Sequence, residues 1–116
     1  MKEIKDSNKF DEIFKYINEN YSDPNLSLTS LAEQFDLKKI SYISYTFKFF
    51  ANENFSSYLE RIRIDKATEL LLKGEQIKDV SQKVGYISDM TFRRAFKKKM
   101  GLSPSDFVKQ ARKNNK

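Results

Sequence analysis

The sequence has 116 residues, the size of one compact domain, with 39% hydrophobic residues and a formal net charge of +6. It contains no cysteine and no histidine, which excludes disulfides and thiolate metal sites and removes the commonest general base and zinc ligand. No apolar run reaches the length of a membrane span and the N-terminus lacks a signal-peptide core, so we expect a cytoplasmic protein without catalytic activity, metal or cofactor.

The excess of lysine and arginine over acidic residues indicates which partners the chain can bind. A pI near 9.4 favours polyanions, of which nucleic acid is the usual one, although a solvated basic surface would give the same number. The positions of the lysines and arginines on individual helices distinguish a nucleic-acid partner from a solvated basic surface. Only three glycines and two prolines are present, which disfavours a turn-rich all-β fold and favours helices.

Helical periodicity predicts a first helix near residues 8–21. Its apolar stripe consists of Phe10, Ile13, Phe14 and Ile17. Ser27 has a side chain typical of a helix N-cap and precedes a short second helix. A break near residues 36–39 precedes a third helix, which Asn52 is placed to close in the left-handed conformation.

The second half of the chain repeats this order of helix start and stop signals. A long fourth helix near residues 55–73 ends before Gly74. A short fifth helix is broken by Gly85, and Ser88 is placed to cap a sixth helix that Gly101 ends. These signals indicate a short helix, a brief turn and a longer helix.

A seventh helix opens at Ser103-Pro104, where a serine N-cap precedes proline at the first helical position. The polar tail from Lys109 to Lys116 is expected to fray. The elements together predict an all-α fold of about seven helices, with two helix-turn-helix subdomains joined by a long linker helix. The expected boundaries are residues 8–52, 53–74 and 75–112.

The chain aligns with itself without gaps when it is shifted by 49 residues. The matched apolar pairs are Leu28 with Ile77, Leu31 with Val80, Phe35 with Val84, Ile43 with Phe92, Phe47 with Phe96, and Tyr58 with Phe107. The presumed terminators Asn52 and Gly101 match as well. Any two amphipathic helix pairs align loosely, but matched terminators in one register favour a true repeat of a helix-turn-helix unit.

In such a unit the second helix locks one face into the core and presents the other to the major groove. On the sixth helix, the face opposite Phe92 and Phe96 carries the base-contact and phosphate-contact candidates Met90, Arg93, Arg94, Lys97 and Lys98. The fork of an arginine matches guanine O6 and N7, whereas lysines suit phosphates, which add affinity and salt dependence without sequence information.

The outer face of the third helix is less basic. It carries Ser41, Tyr42, Ser44, Tyr45, Lys48 and Phe49. Serine and tyrosine hydroxyls can bond phosphates or base edges, and an aromatic ring can contact a thymine methyl group. Phe49 is instead expected to pack on the linker helix. A linker of about 19 residues spans roughly 28 Å, close to the ~34 Å between successive major grooves on one face of DNA.

A long motif at fixed spacings runs through the second half of the chain. It consists of Ala67 to Leu71, Ile77 to Tyr86, Ser88, Phe92, Arg94, Phe96-Lys97-Lys98, Gly101, Ser103-Pro104 and Phe107. The first half adds Leu28, Leu31-Ala32-Glu33, Phe47-Lys48, Phe55, Tyr58 and Arg63. This pattern resembles the AraC/XylS family of bacterial transcription regulators over about Phe10 to Phe107, nearly the whole chain.

The resemblance implies two helix-turn-helix subdomains that bind promoter DNA and commonly activate transcription through RNA polymerase. It implies base contacts by Ser41, Ser44 and Tyr45 in the first unit, and by Met90, Thr91 and Arg94 in the second. Candidates for the DNA backbone are Ser27, Lys38, Lys39, Tyr42, Lys48, Ser88, Lys97 and Lys98. Many members carry an effector or dimerisation domain before this module, so we expect either a free-standing member or a segment of a larger regulator.

The sequence departs from the family pattern in a few places. Ser81 stands where alanine is usual, Asn52 where glycine is frequent, Tyr45 where arginine is common and Phe49 where lysine is common. The second unit is therefore expected to supply most of the charge-based affinity. The first unit either reads bases in its own way or only positions the backbone.

Two other classes of function were weighed against DNA binding. A protein-interaction module would present an exposed apolar groove instead of a basic outer face. An enzyme would have to rely on carboxylates, lysine or tyrosine, and pairs such as Asp65 and Glu69 look like helix-surface charges. The clustering of cations on the sixth helix favours a double-stranded DNA partner over both alternatives.

Overall fold

The computed structural model describes residues 2–36 and 40–114, with side chains from Lys9 onward. Within these ranges the chain has seven α-helices and no strand, which confirms the all-α prediction. The helices are α1 (Lys2–Asn20), α2 (Leu28–Gln34), α3 (Ile40–Ala51), α4 (Phe55–Leu72), α5 (Ile77–Lys83), α6 (Asp89–Met100) and α7 (Pro104–Asn114). The chain divides into two compact units, Met1–Leu59 and Glu60–Lys116, and α4 contributes residues to both.

An aromatic cluster forms the core of the first unit. Phe47 of α3 is fully buried, and its ring lies 5.2 Å from that of Phe10 and 5.3 Å from that of Phe14 on α1. The start of α4 adds Phe55 and Tyr58, with ring centroids 5.8 and 5.2 Å from Phe47. Aromatic rings bury large apolar areas, so this cluster joins α1, α3 and the start of α4.

The second unit is built around Phe92 and Phe96 of α6, both fully buried. The Phe96 ring lies 5.5 Å from Phe107 of α7, and the Phe92 ring lies 5.6 Å from Tyr86, which follows α5. Within this unit the guanidinium of Arg63 on α4 lies 5.4 Å above the Tyr86 ring. Such a cation–π contact stabilises the charge of Arg63, whose relative exposure is only 9%.

The 49-residue repeat is visible in the helix boundaries. The starts of α2, α3 and α4 fall at residues 28, 40 and 55, and those of α5, α6 and α7 fall at 77, 89 and 104, each 49 residues later. The backbone repeats as well, because Asp36 and Gly85 have φ values of 53° and 101° in the turn between the two helices of each unit. Asn52 and Gly101 end the longer helices with φ values of 60° and 82°, as their sequence positions predicted.

Two helix boundaries and one contact differ from expectation. α1 begins at Lys2 and not near residue 8, and the segment holds no glycine or proline that would end a helix. α7 continues to Asn114, although the tail from Lys109 onward was expected to fray, and Ala111 of that tail is half-buried. Phe49 is 72% exposed, which contradicts the expectation that it packs on the linker helix.

Candidate nucleic-acid interface

The sixth helix is fixed at both ends by its own sequence. The Ser88 hydroxyl accepts hydrogen bonds from the backbone N–H groups of Met90, at 3.1 Å, and Thr91, at 3.3 Å. Gly101 closes the helix in the left-handed conformation, and its N–H donates to the carbonyl of Lys97 at 2.8 Å. Because Phe92 and Phe96 are buried on one side, the opposite side of α6 has a defined orientation.

The predicted contact residues of α6 share that opposite, exposed side. Met90, Thr91, Arg93, Arg94, Lys97 and Lys98 are all exposed, and Met90 is 61% exposed. Beside them lies an open groove of about 450 Å³, lined by Asp89, Met90, Arg93, Arg94, Lys97 and Ser103. The groove thus brings together four of the predicted residues.

Asp89 and Ser103 also line this groove and were not among the predicted contact residues. Both are helix-start residues: Asp89 opens α6, and the Ser103 hydroxyl accepts from the N–H of Asp106 at 3.1 Å at the start of α7. Asp89 lies on α6 itself, whereas the nearness of Ser103 to Arg94 depends on the contact between α6 and α7. The N–H groups at a helix start carry partial positive charge, which adds to that of the cations.

The outer face of α3 has a different chemistry. Its predicted contact residues Ser41, Tyr42, Ser44, Tyr45 and Lys48 are all exposed. Tyr45 is 71% exposed and Phe49 is 72% exposed, so two large rings lie at the surface one helical turn apart. The Thr46 hydroxyl donates to the helix carbonyls of Tyr42 and Ile43, at 2.8 and 3.1 Å, and is thereby turned toward its own helix.

Of the remaining predicted residues, Ser27 lies at the start of a helix. Ser27 caps α2 in a capping box: its hydroxyl accepts from the N–H of Ser30 at 3.1 Å, and the Ser30 hydroxyl accepts from the N–H of Ser27 at 2.8 Å. The oxygens of Ser27 and Ser88 are therefore engaged in capping, so a phosphate contact from either serine would use the hydroxyl hydrogen. Lys38 and Lys39 lie outside the described residues.

Buried and paired groups support the second unit behind its outer face. Burial raises the pKa of Tyr86 to about 12, and the nearby carboxylate of Glu60 adds to this effect while Arg63 opposes it. Glu60 also lies 3.9 Å from the ammonium group of Lys99. On α5, a hydrogen bond and the charge of Glu75 raise the pKa of Lys83. Tyr86 thus stays neutral at ordinary pH and can pack as an aromatic ring on Phe92.

Membrane spans and clusters of metal ligands are absent from the described part of the chain. It has no helix that is both long enough and apolar enough to cross a membrane. Among the same residues, no three acidic side chains converge in a way that could hold a metal ion.

A family model described as a helix-turn-helix domain matches residues 26–110. The C-terminal domain of AraT, a response regulator from Geobacillus stearothermophilus, is 35% identical and superposes with a TM-score of 0.80, covering 83% of this chain and 79% of that chain. The chain belongs to the AraC family of DNA-binding domains. Its two helix-turn-helix units are therefore the AraC-type pair.

Other solved structures support this assignment. The C-terminal domain of the two-component response regulator yesN from Fusobacterium nucleatum is 30% identical, with a TM-score of 0.83 over 87% of this chain and 98% of that chain. The DNA-binding domain of AdpA, solved in complex with a target DNA, shares the fold with a TM-score of 0.82 over 89% of this chain and 92% of that chain. At 18% identity, this last likeness is one of fold alone.

Curated relatives of this AraC-type domain are transcription regulators. The raffinose operon transcriptional regulatory protein RafR of Pediococcus pentosaceus is 30% identical over 107 residues, which are 91% of this chain and 38% of RafR. The transcriptional regulatory protein HptR of Staphylococcus aureus is 31% identical over 101 residues, which are 87% of this chain and 39% of HptR. The chain therefore spans under two fifths of the length of these relatives.

Proposed function

We propose that this AraC-type domain binds a specific promoter sequence by placing α3 and α6 in successive major grooves of one DNA duplex, and that it activates transcription there. The observation that carries the proposal is the exposed outer face of α6. Arg93, Arg94, Lys97 and Lys98 all lie on it, opposite two fully buried phenylalanines. A rigid helix with one buried and one cationic face is suited to entering the major groove.

The contacts on α6 divide into two kinds. Arg94 and Arg93 can donate two parallel hydrogen bonds to guanine O6 and N7, and Met90 and Thr91 can meet base edges near the helix start. Lys97 and Lys98 neutralise phosphates and give affinity that falls with salt. Ser88 and Ser27, at helix starts, can donate to phosphate oxygens, which fixes the register of each unit without reading bases.

The proposal of two grooves has support in the repeat and in the length of α4. Each unit has a second helix of 12 residues, and α4 contributes residues to both units. The 18 residues of α4 span about 27 Å at the usual helical rise. Successive major grooves on one face of DNA lie about 34 Å apart, and bending of the duplex would bring them closer.

Activation is proposed through contact with RNA polymerase, and control through an effector or dimerisation domain outside these residues. The AraC-type resemblance supports the first, and the greater length of RafR and HptR supports the second. A cytoplasmic location and the absence of catalysis stay predictions.

The test begins with selection of bound sequences from random duplex DNA, followed by footprinting of the selected site. We expect two protected segments on one face of the duplex, about one helical turn of 10 base pairs apart. Arg94→Ala should weaken binding to this site by about tenfold to a hundredfold and relax the base preference at one guanine. Placing the site upstream of a reporter promoter tests activation separately.

Lys15→Ala is the matched control, because it also removes one exposed positive charge but lies on α1. It should leave the base preference unchanged. A single protected segment would contradict the two-groove arrangement, and an Arg94→Ala protein with undiminished base preference would contradict reading by α6. Selection that returns no preferred sequence would contradict the function as a whole.

A further inference from the structure

The outer face of α3 carries two rings that are more than two thirds exposed and that DNA binding by charge does not use. Tyr45 is 71% exposed and Phe49 is 72% exposed. They lie four residues apart on one helix and therefore on neighbouring turns of the same face. We call Tyr45 and Phe49 the aromatic strip.

One end of the aromatic strip is held by the core of the first unit. The Phe49 ring packs edge-on against Phe50 at 5.1 Å, and Phe50 stacks on the buried Phe10 of α1 at 5.0 Å. Phe49 is thus supported from one side while its other surface faces solvent. An apolar ring that is already supported loses little conformational entropy when it meets a ligand.

The repeat shows what the strip replaces. At the 49-residue shift, Tyr45 corresponds to Arg94 and Phe49 corresponds to Lys98, while Lys48 corresponds to Lys97. The first unit thus keeps one cation at a phosphate-type position and substitutes rings at the two others. Rings offer an apolar surface where the second unit offers hydrogen-bond donors.

We propose that the first unit reads thymine through its 5-methyl groups, with the aromatic strip as the specificity-determining surface. In the major groove the 5-methyl group is the apolar feature that marks thymine among the four bases, and apolar side chains, aromatic ones included, contact it. This inference rests on the proposed function, since it requires α3 to lie in the major groove.

Two observations favour DNA over a protein as the occupant of the strip. The strip is continuous with Ser41, Ser44 and Lys48 on the outer face of α3, in the position that the cationic face holds on α6. Lys48 adjoins Phe49, and the chain carries a net charge of +6, so a polyanion is favoured beside these rings. Methyl groups at the base edges meet the rings, and phosphates meet the lysine.

The experiment uses the selected site and replaces its thymines, one at a time, by deoxyuridine, which lacks only the 5-methyl group. The half-site of the first unit is the one whose base preference survives Arg94→Ala. We expect deoxyuridine at one or two positions of that half-site to weaken binding about fourfold each, the effect of exposing one buried methyl group. Fluorescence anisotropy at fixed salt measures the dissociation constants.

Variants then connect the methyl effect to the strip. In Tyr45→Ala and Phe49→Ala proteins the deoxyuridine penalty should vanish at the matching position, whereas Tyr45→Phe should keep it because the ring remains. Leu72→Ala is the control, since it removes an apolar side chain that is 58% exposed on α4. It should leave every deoxyuridine penalty as in the unaltered protein.

Each other outcome overturns the inference. Deoxyuridine without effect in the first half-site, or with equal effect in the alanine variants, would remove the methyl contact while leaving DNA binding and Arg94 intact. A Phe49→Ala protein that changes its sedimentation behaviour but not its deoxyuridine penalties would assign the strip to a second copy of the chain. Circular dichroism verifies that each variant is folded, which the exposure of both rings leads us to expect.

Discussion

The helix-turn-helix pairs of the two units have the same helix lengths and similar turn conformations but differ in the chemistry of their outer faces. In both, the second helix has 12 residues and ends at a residue with positive φ, Asn52 or Gly101. The outer face of α6 is cationic, whereas that of α3 carries hydroxyls, two exposed rings and Lys48. The core and the helix ends therefore determine the fold of each unit, while the outer helix face is free to change its chemistry.

The largest effect is expected in the cores, at the equivalent positions Phe47 and Phe96. Alanine at either position should lower the free energy of unfolding by about 3–5 kcal/mol. Phe47→Ala should be the more costly, because Phe47 has ring partners on both α1 and α4, whereas the Phe96 ring lies beside Phe92 of its own helix and Phe107 of α7.

Urea denaturation measures the size of these effects, and hydrogen exchange locates them. Each variant should increase exchange chiefly in its own unit, since the chain forms two compact units. If either variant increased exchange equally in both, the units would unfold as one cooperative body and the comparison between them would lose its thermodynamic meaning.

A second prediction separates the two outer faces by salt. Lys97→Ala should weaken binding to all sequences alike and reduce the slope of log K against log salt by about one, because one phosphate contact is lost. Tyr45→Ala should weaken binding to the selected site with no change in slope. The measurement is a titration of DNA at several salt concentrations. If Tyr45→Ala changed the slope of log K against log salt, the first unit would also act mainly through phosphates.

A third prediction concerns the short helices, where Ser81 of α5 corresponds to Ala32 of α2. Ser81 is fully buried, and its hydroxyl has no hydrogen-bond partner among the described atoms. Ser81→Ala should therefore raise the free energy of unfolding by about 1 kcal/mol, because an unsatisfied buried hydroxyl is removed. Ala32→Ser should lower it by a similar amount, and a stabilising Ala32→Ser would show that hydroxyls are accommodated at this crossing.

The smallest effect is expected at the start of α5. Gln76 has an extended backbone suited to an N-cap, with φ −73° and ψ 142°, but makes no side-chain capping bond, unlike its counterpart Ser27. Gln76→Ser should stabilise the second unit by about 0.5–1 kcal/mol through a hydrogen bond to the N–H of Asp79. Thermal unfolding measures the gain. Ser27→Ala should lower the unfolding temperature of the first unit. If Gln76→Ser left the unfolding temperature unchanged, the missing cap would not limit the stability of α5.

Much of the fold could be predicted from local chemistry. Ser27, Ser88, Asn52 and Gly101 have the roles that their side chains and positions indicated, since capping depends only on neighbours in the chain. The positive φ of Asp36 was missed, because aspartate at that position has no signal as clear as that of glycine.

What depends on tertiary packing was harder to read. Ile64 is almost fully buried, yet no local signal singles it out, since the side of α4 that becomes covered is set by the helices around it. The exposed faces of α3 and α6 could be derived from helical period alone. The inclusion of Ser103 in the groove beside Arg94 could not, because it requires the contact between α6 and α7.

The ungapped register of the two units has a consequence for engineering. Because residues 41–49 and 90–98 occupy equivalent positions on helices of the same length, outer residues can be exchanged between them without touching either core. Under the proposed function, grafting the outward residues of α6 onto α3 would give both units the same base preference. The outer faces of α3 and α6 are thus exchangeable surfaces, which a protein engineer can recombine to change the DNA sequence that the proposed function would select.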